Sequence, residues 1–92
     1  MSIQWLYDVI ETRRQNPSEE SYTSRLFAEG LPRIAQKVGE EGTEVVVAAL
    51  AQDDQRLIEE VADLTYHTLV LLAARGLELR DVLVELEKRH KI

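Results

Sequence analysis

The sequence predicts an all-α protein: a small bundle of four to five helices whose core is completed by homodimerisation. Three observations carry that expectation. Apolar residues recur at three- and four-residue spacing along most of the chain, and no stretch alternates convincingly at period 2. Helix-ending and helix-starting residues punctuate the rhythm at Asn16-Pro17-Ser18, Gly30, Gln52-Asp53-Asp54 and Gly76. From Leu64 to Ala74 the pattern is apolar nearly all round, which marks a helix covered on every side. In a chain of 92 residues, cover of that extent points to a second copy.

Ile3, Leu6, Tyr7 and Ile10, with Arg13, mark an amphipathic first helix over about residues 2–15. Asn16-Pro17-Ser18 ends it, because proline cannot continue a helix and biases the preceding residue away from helical backbone. Ser18-Glu19-Glu20-Ser21 is a polar connection in which either serine can cap a short helix running to about Glu29. Gly30 suits the left-handed position that closes such a helix, and Pro32 suits the first turn of the next. That third helix runs to about Ala51. After Gln52-Asp53-Asp54, with Asp53 or Asp54 as N-cap, a fourth runs from about Gln55 to Ala74 and closes at Gly76. The last spans Leu79 to His90. Leu79, Val82, Leu83 and Leu86 turn inward, while Lys88, Arg89, His90 and Lys91 lie near the C-terminal end, where cations suit the helix dipole.

Residues 1–92 read as one small domain without internal repeats. With no cysteine there are no disulfides and no thiolate metal ligands. Trp5-Leu6-Tyr7 is followed by Asp8 and Glu11, which breaks any signal-peptide core, and the longest apolar run, Leu69 to Ala74, is too short to span a membrane. A cytoplasmic protein with no membrane association is expected. Seventeen acidic against eleven basic residues give a net charge of −6, which disfavours unaided binding to nucleic acid. A phosphate ligand is still allowed if a metal ion mediates the contact.

The chemistry concentrates in Lys37-Val38-Gly39-Glu40-Glu41-Gly42-Thr43-Glu44. Ile34, Val38, Val45 and Ala48 define an inward stripe, and the position missing from it is Glu41. A carboxylate inside an apolar stripe is costly unless it is paired or holds a metal. Glu41 and Glu44 are three apart on one face, and so are Glu60 and Asp63 on the next helix. Fifteen residues separate Glu44 from Glu60, enough for a tight turn that brings both pairs to one point. Four converging carboxylates repel strongly. A hard divalent cation removes that repulsion, and an oxygen-only set favours Mg²⁺, with Mn²⁺ as substitute, over zinc. Glu40, on the neighbouring flank, is either a further ligand or a base that orients water. A solvated acidic face is the competing reading. Val38, Val45, Val61 and Leu64, interleaved with the acids, weigh against it.

Arg33 and Lys37 lie upstream of the acids and Arg25 on the preceding short helix; together they can hold phosphate oxygens that a metal does not cover. Two helix-interior glycines, Gly39 and Gly42, suggest close approach by another helix or by ligand, or serve packing alone. His67, one turn after Asp63, either touches the site or is a hydrogen-bonded core histidine. Tyr66 packs, with a hydroxyl tip.

Glu40-Glu41-x-x-Glu44, fifteen residues, then Glu60-x-x-Asp63 resembles the signature of the all-α nucleotide pyrophosphohydrolase superfamily. The branch it resembles more closely is phosphoribosyl-ATP pyrophosphohydrolase. The matching residues are Ser21-Tyr22-Thr23, Leu26, Gly30, the run Arg33 to Gly42, Glu44, Ala62-Asp63-Leu64, Tyr66-His67, Leu69 to Leu72, Gly76-Leu77, Asp81-Val82-Leu83 and Glu85-Leu86. They span about residues 18–90. Thr65 and Thr68 depart from the aliphatic residues expected there, which touches packing more than chemistry.

The resemblance implies a Mg²⁺-dependent hydrolase of histidine biosynthesis. It would cleave the α–β phosphoanhydride of phosphoribosyl-ATP, giving phosphoribosyl-AMP and pyrophosphate, and would work as a homodimer or higher oligomer. Glu41, Glu44, Glu60 and Asp63 would hold the metal; Glu40 or Glu41 would accept a proton from the attacking water; Lys37 and Arg33 would steady phosphate oxygens. Two other readings remain open at this point: a housecleaning pyrophosphatase for non-standard nucleoside triphosphates, and a helical oligomerisation module without catalysis.

Overall fold

A computed structural model describes residues 1–89. The described chain is all-helical: α1 (Ile3–Gln15), α2 (Tyr22–Glu29), α3 (Leu31–Ala51), α4 (Asp54–Ala74) and α5 (Leu79–Lys88). His90 and Lys91, expected at the end of the last helix, lie outside the described residues.

The helix ends follow from local chemistry. Ser2 accepts the Trp5 N–H at 3.0 Å, Ser21 the Ser24 N–H at 3.1 Å and Asp53 the Arg56 N–H at 2.9 Å, so each side-chain oxygen satisfies an amide that the first turn leaves open. Of the two serines that could cap α2, Ser21 does so. Ser24, buried, accepts the Ser18 N–H at 3.0 Å and donates to the Arg13 carbonyl at 3.2 Å, which ties α2 back to the end of α1. Gly30 closes α2 and opens α3 at φ 96°, ψ 170°, a backbone region essentially reserved for glycine. At the end of α4 the Leu77 N–H bonds the Leu72 carbonyl and the Gly76 N–H bonds that of Ala73, with Gly76 at φ 72°. This is the Schellman arrangement, and it needs the residue without a Cβ.

Helices α3 and α4 form a long antiparallel hairpin across a short turn. The apolar core gathers at one end of it. Tyr7 and Ile10 from α1, Leu26 from α2, Ile34 from the start of α3, Leu69, Val70 and Ala73 from the end of α4, and Leu79 from α5 are buried together. The other end has almost no cover: from Gly42 to Ala62 only Ala48 and Glu60 are buried. Val46, Val47, Leu50, Ile58 and Val61 are exposed there, with Leu50 at 84%.

Two expectations need correction. Of the four apolar residues expected inward on α5 only Leu79 is buried; Val82, Leu83 and Leu86 are exposed, because α5 meets the bundle through its first turn and its stripe faces outward. Gly39 and Gly42 show no close approach within the chain, since a Cβ built at either meets nothing within 4 Å. Thr65 and Thr68 bond their hydroxyls to the carbonyls of Val61 and Leu64, both at 2.8 Å. Their polar atoms are thereby satisfied, and both line an apolar groove with Ile3, Leu72 and Val82. Among the described residues no helix is long and apolar enough to cross a membrane.

Candidate metal centre

The site lies where the core ends and the bare half of the hairpin begins. Glu41 sits on the buried stripe of α3 between Ile34 and Ala48, as its register requires. Glu60 holds the equivalent buried position on α4. One oxygen each from Glu41, Glu60 and Asp63 fall within 4.8 Å of one another. Glu41 and Glu60 are 6% and 4% exposed; Asp63 is exposed and gives the group its open side. Glu44, also exposed, stands a step outside this trio. It borders Glu60 in a cavity of about 190 Å³ lined by Glu44, Val47, Gln52, Arg56 and Glu60.

Each buried carboxylate is half satisfied, in the same way. Glu41 receives Lys37 Nζ at 3.2 Å on Oε1; Glu60 receives Arg56 Nη2 at 2.6 Å on Oε1. In both cases the cation is four residues upstream on the same helix. The second oxygens, Glu41 Oε2 and Glu60 Oε2, are buried without a hydrogen-bond partner. Two such acceptors grouped with a third carboxylate are unfavourable by themselves, since a buried oxygen without a donor forfeits its hydration. They are the donor set that a hard cation such as Mg²⁺ prefers. The residues present therefore fit a divalent metal.

Electrostatics agree with the crowding. Glu60 has its pKa raised, first by the neighbouring Glu44 carboxyl, then by burial and the charge of Asp63, while Arg56 opposes the shift. Lys37 has its pKa raised, chiefly by the hydrogen bond to Glu41.

The remaining candidates lie on the flank. Glu40 is exposed and bonded to Arg33 at 3.4 Å; Arg33 also reaches Glu29 at 3.6 Å. Arg25 donates to the Glu19 carbonyl at 3.2 Å and stands 5.8 Å above the ring of Tyr22. Of the three expected phosphate-binding cations, only Lys37 touches the buried acids. Arg56, which does touch them, was not among the expected residues; its signal was the four-residue step to Glu60, the same step that links Lys37 to Glu41.

His67 is the hydrogen-bonded core histidine of the two readings. It is 4% exposed, with Nδ1 2.7 Å from the Asp63 carbonyl and Nε2 3.1 Å from the Tyr22 hydroxyl. Tyr66, beside it with ring centroids 4.9 Å apart, shares a short hydrogen bond with Thr23, and burial raises its pKa. Two side-chain links thus join α2 to the half-turn of α4 that follows Asp63.

Comparison with known proteins adds the lineage. Residues 3–90 match the model of a family described as phosphoribosyl-ATP pyrophosphohydrolase. The phosphoribosyl-ATP pyrophosphatase of Pyrobaculum arsenaticum is 57% identical over 86 residues, 94% of this chain and 92% of that protein. Those of Pyrobaculum calidifontis, at 55% over the same shares, and Lacticaseibacillus casei, at 53% over 97% of this chain and 81% of that protein, are similarly alike. With the match running through all five helices and both acidic pairs, the chain belongs to the phosphoribosyl-ATP pyrophosphohydrolase family.

Proposed function

We propose that this protein hydrolyses phosphoribosyl-ATP to phosphoribosyl-AMP and pyrophosphate, a step of L-histidine biosynthesis, by metal-dependent attack of water on the α–β phosphoanhydride. The substrate comes from the names of the relatives; the chemistry is supported by the buried, unpartnered carboxylate oxygens of Glu41 and Glu60 and by the grouping of both residues with Asp63. These three residues, with Glu44 at the cavity edge, would hold Mg²⁺. Bound there, the ion would neutralise polyphosphate charge and lower the pKa of a coordinated water.

The chain's own residues do the rest. Lys37 keeps Glu41 Oε1 occupied, so the carboxylate presents one oxygen inward and the ammonium stays beside the phosphate path. Glu40, next to Glu41 in the chain and paired with Arg33, would accept a proton from the attacking water. Arg33 and Arg25 would hold phosphate oxygens as a substrate displaces their present weak partners. A second copy of the chain would cover Val46, Val47, Leu50, Ile58 and Val61, giving the homodimer this reading includes.

The deciding experiment is turnover of phosphoribosyl-ATP against a panel of standard and non-standard nucleoside triphosphates, each with Mg²⁺ and with excess EDTA. Selective, EDTA-sensitive release of pyrophosphate from phosphoribosyl-ATP is expected. Preference for another triphosphate would favour a housecleaning role, and no turnover of any would leave a helical scaffold.

A further inference from the structure

Arg56 stands in a place where a metal-dependent hydrolase would not need a cation. Its guanidinium divides between two carboxylates on α4: Nη1 to Glu59 Oε1 and Nη2 to Glu60 Oε1, both at 2.6 Å. The two partners differ. Glu59 is exposed and can be solvated by water; Glu60 is buried, and Arg56 is the cation hydrogen-bonded to it. Arg56 itself is half exposed, so its head group can move without disturbing the core. Lys37, the equivalent on α3, is far more enclosed.

We propose that Arg56 is the chain's own counter-cation for the carboxylate focus, holding Glu60 in the metal-free protein and withdrawing onto Glu59 when a divalent ion enters. This rests on the metal-dependent reading above and adds an exchange step to it. Metal entry is then a replacement of one cation by another. Without Arg56, Glu60 would meet Glu44 and Asp63 with no compensating charge, the arrangement in which a buried carboxylate is most unfavourable. With the ion present, a guanidinium on Glu60 would repel it across a few ångströms. Glu59, already bonded, gives the displaced guanidinium somewhere to go at little cost, and leaves it at the mouth of the cavity it shares with Glu44 and Glu60.

The test is a calorimetric titration of the metal-free full chain with Mg²⁺, accompanied by thermal melting without metal. Arg56→Gln should melt lower without metal yet bind Mg²⁺ roughly fivefold more tightly, a modest Coulomb effect at a partly solvated site. Arg56→Lys, which keeps the charge, should stay within about twofold of the unsubstituted chain. Glu59→Gln should weaken Mg²⁺ binding about twofold by removing the alternative partner, and should have no effect in an Arg56→Gln background. Equal or weaker Mg²⁺ binding by Arg56→Gln, or a Glu59→Gln effect that persists without Arg56, overturns the exchange. Failure of the unsubstituted chain to bind Mg²⁺, with or without pyrophosphate, removes the metal reading itself and this inference with it.

Discussion

The Tyr22 hydroxyl is hydrogen-bonded to Nε2 of the buried His67, 3.1 Å away. The other ring nitrogen, Nδ1, lies 2.7 Å from the Asp63 carbonyl, which can only accept. Nδ1 therefore carries a proton, and both ring nitrogens have a hydrogen-bond partner. The pair joins α2 to α4 one turn beyond Asp63. Tyr22→Phe keeps the ring and removes one part-buried hydrogen bond, so a loss of about 1 kcal/mol is expected. For a domain of this size that is a fall of roughly 4–8 °C in Tm, readable by circular dichroism.

Glu60 gives the metal-free protein a pH dependence of definite sign. Its folded pKa is raised above the ordinary 4.5. A raised carboxyl contributes stability that is fully present below the unfolded value and is lost as pH rises through the folded one. Glu11 acts in the opposite sense: the hydrogen bond from Arg14 lowers its pKa, so its contribution is lost as pH falls through a value below 4.5. Melting temperature in EDTA should therefore decline from mildly acidic pH toward neutrality, and Mg²⁺ should remove that decline. Glu60→Gln should flatten the same limb without metal. A metal-free Tm that climbs steadily through this range would contradict the assignment.

Removing a site carboxylate should separate stability from activity. Glu41→Gln keeps the size of a side chain that is 6% exposed and removes a charge only Lys37 now balances. The helix should stay intact, with metal-free Tm unchanged or higher, while turnover falls at least about a hundredfold through loss of electrostatic stabilisation. The same turnover loss is expected of Glu44→Gln. Excess EDTA should silence the unsubstituted enzyme.

Much of this was legible in the sequence, for reasons that show where legibility stops. Helix ends are local: Ser21, Asp53, Gly30 and Gly76 act through their own backbone neighbours, and the observed ends fall within a residue or two of the expected ones. Burial of Glu41 could be read from the stripe that Ile34 and Ala48 define. Arg56 could not, because an arginine four before a glutamate looks the same whether the glutamate is solvated or buried. Nor could the outward turn of Val82, Leu83 and Leu86. An apolar stripe says that a face wants cover; it does not say whether the same chain supplies it.

Gly39 and Gly42 carry a clean test of that distinction. Within the chain a Cβ at Gly39 meets nothing within 4 Å, and glycine in a helix interior is less favourable than alanine by about 0.5–1 kcal/mol. Gly39→Ala should therefore stabilise the protein by that amount in denaturant titrations. A loss of stability that grows with protein concentration would instead place a partner helix against this face.

The bare half of the hairpin makes the strongest demand on a partner. Over the twenty-one residues from Gly42 to Ala62 only Ala48 and Glu60 are buried, so this half of the hairpin gains little packing from its own chain. Yet Glu41, Glu60 and Asp63 must keep one carboxylate oxygen each within 4.8 Å of one another across that same interface. Leu50, 84% exposed, and Ile58, 61% exposed, sit on this half outside the core cluster. Replacing either by glutamate leaves the core untouched and sets a charge against a partner's apolar face. If the proposed homodimer forms through this face, Leu50→Glu and Ile58→Glu should shift it to monomer in sedimentation experiments, keep most of the helical signal, and lose turnover and Mg²⁺ affinity together. A variant that is monomeric and fully active would show that one chain holds its own metal site.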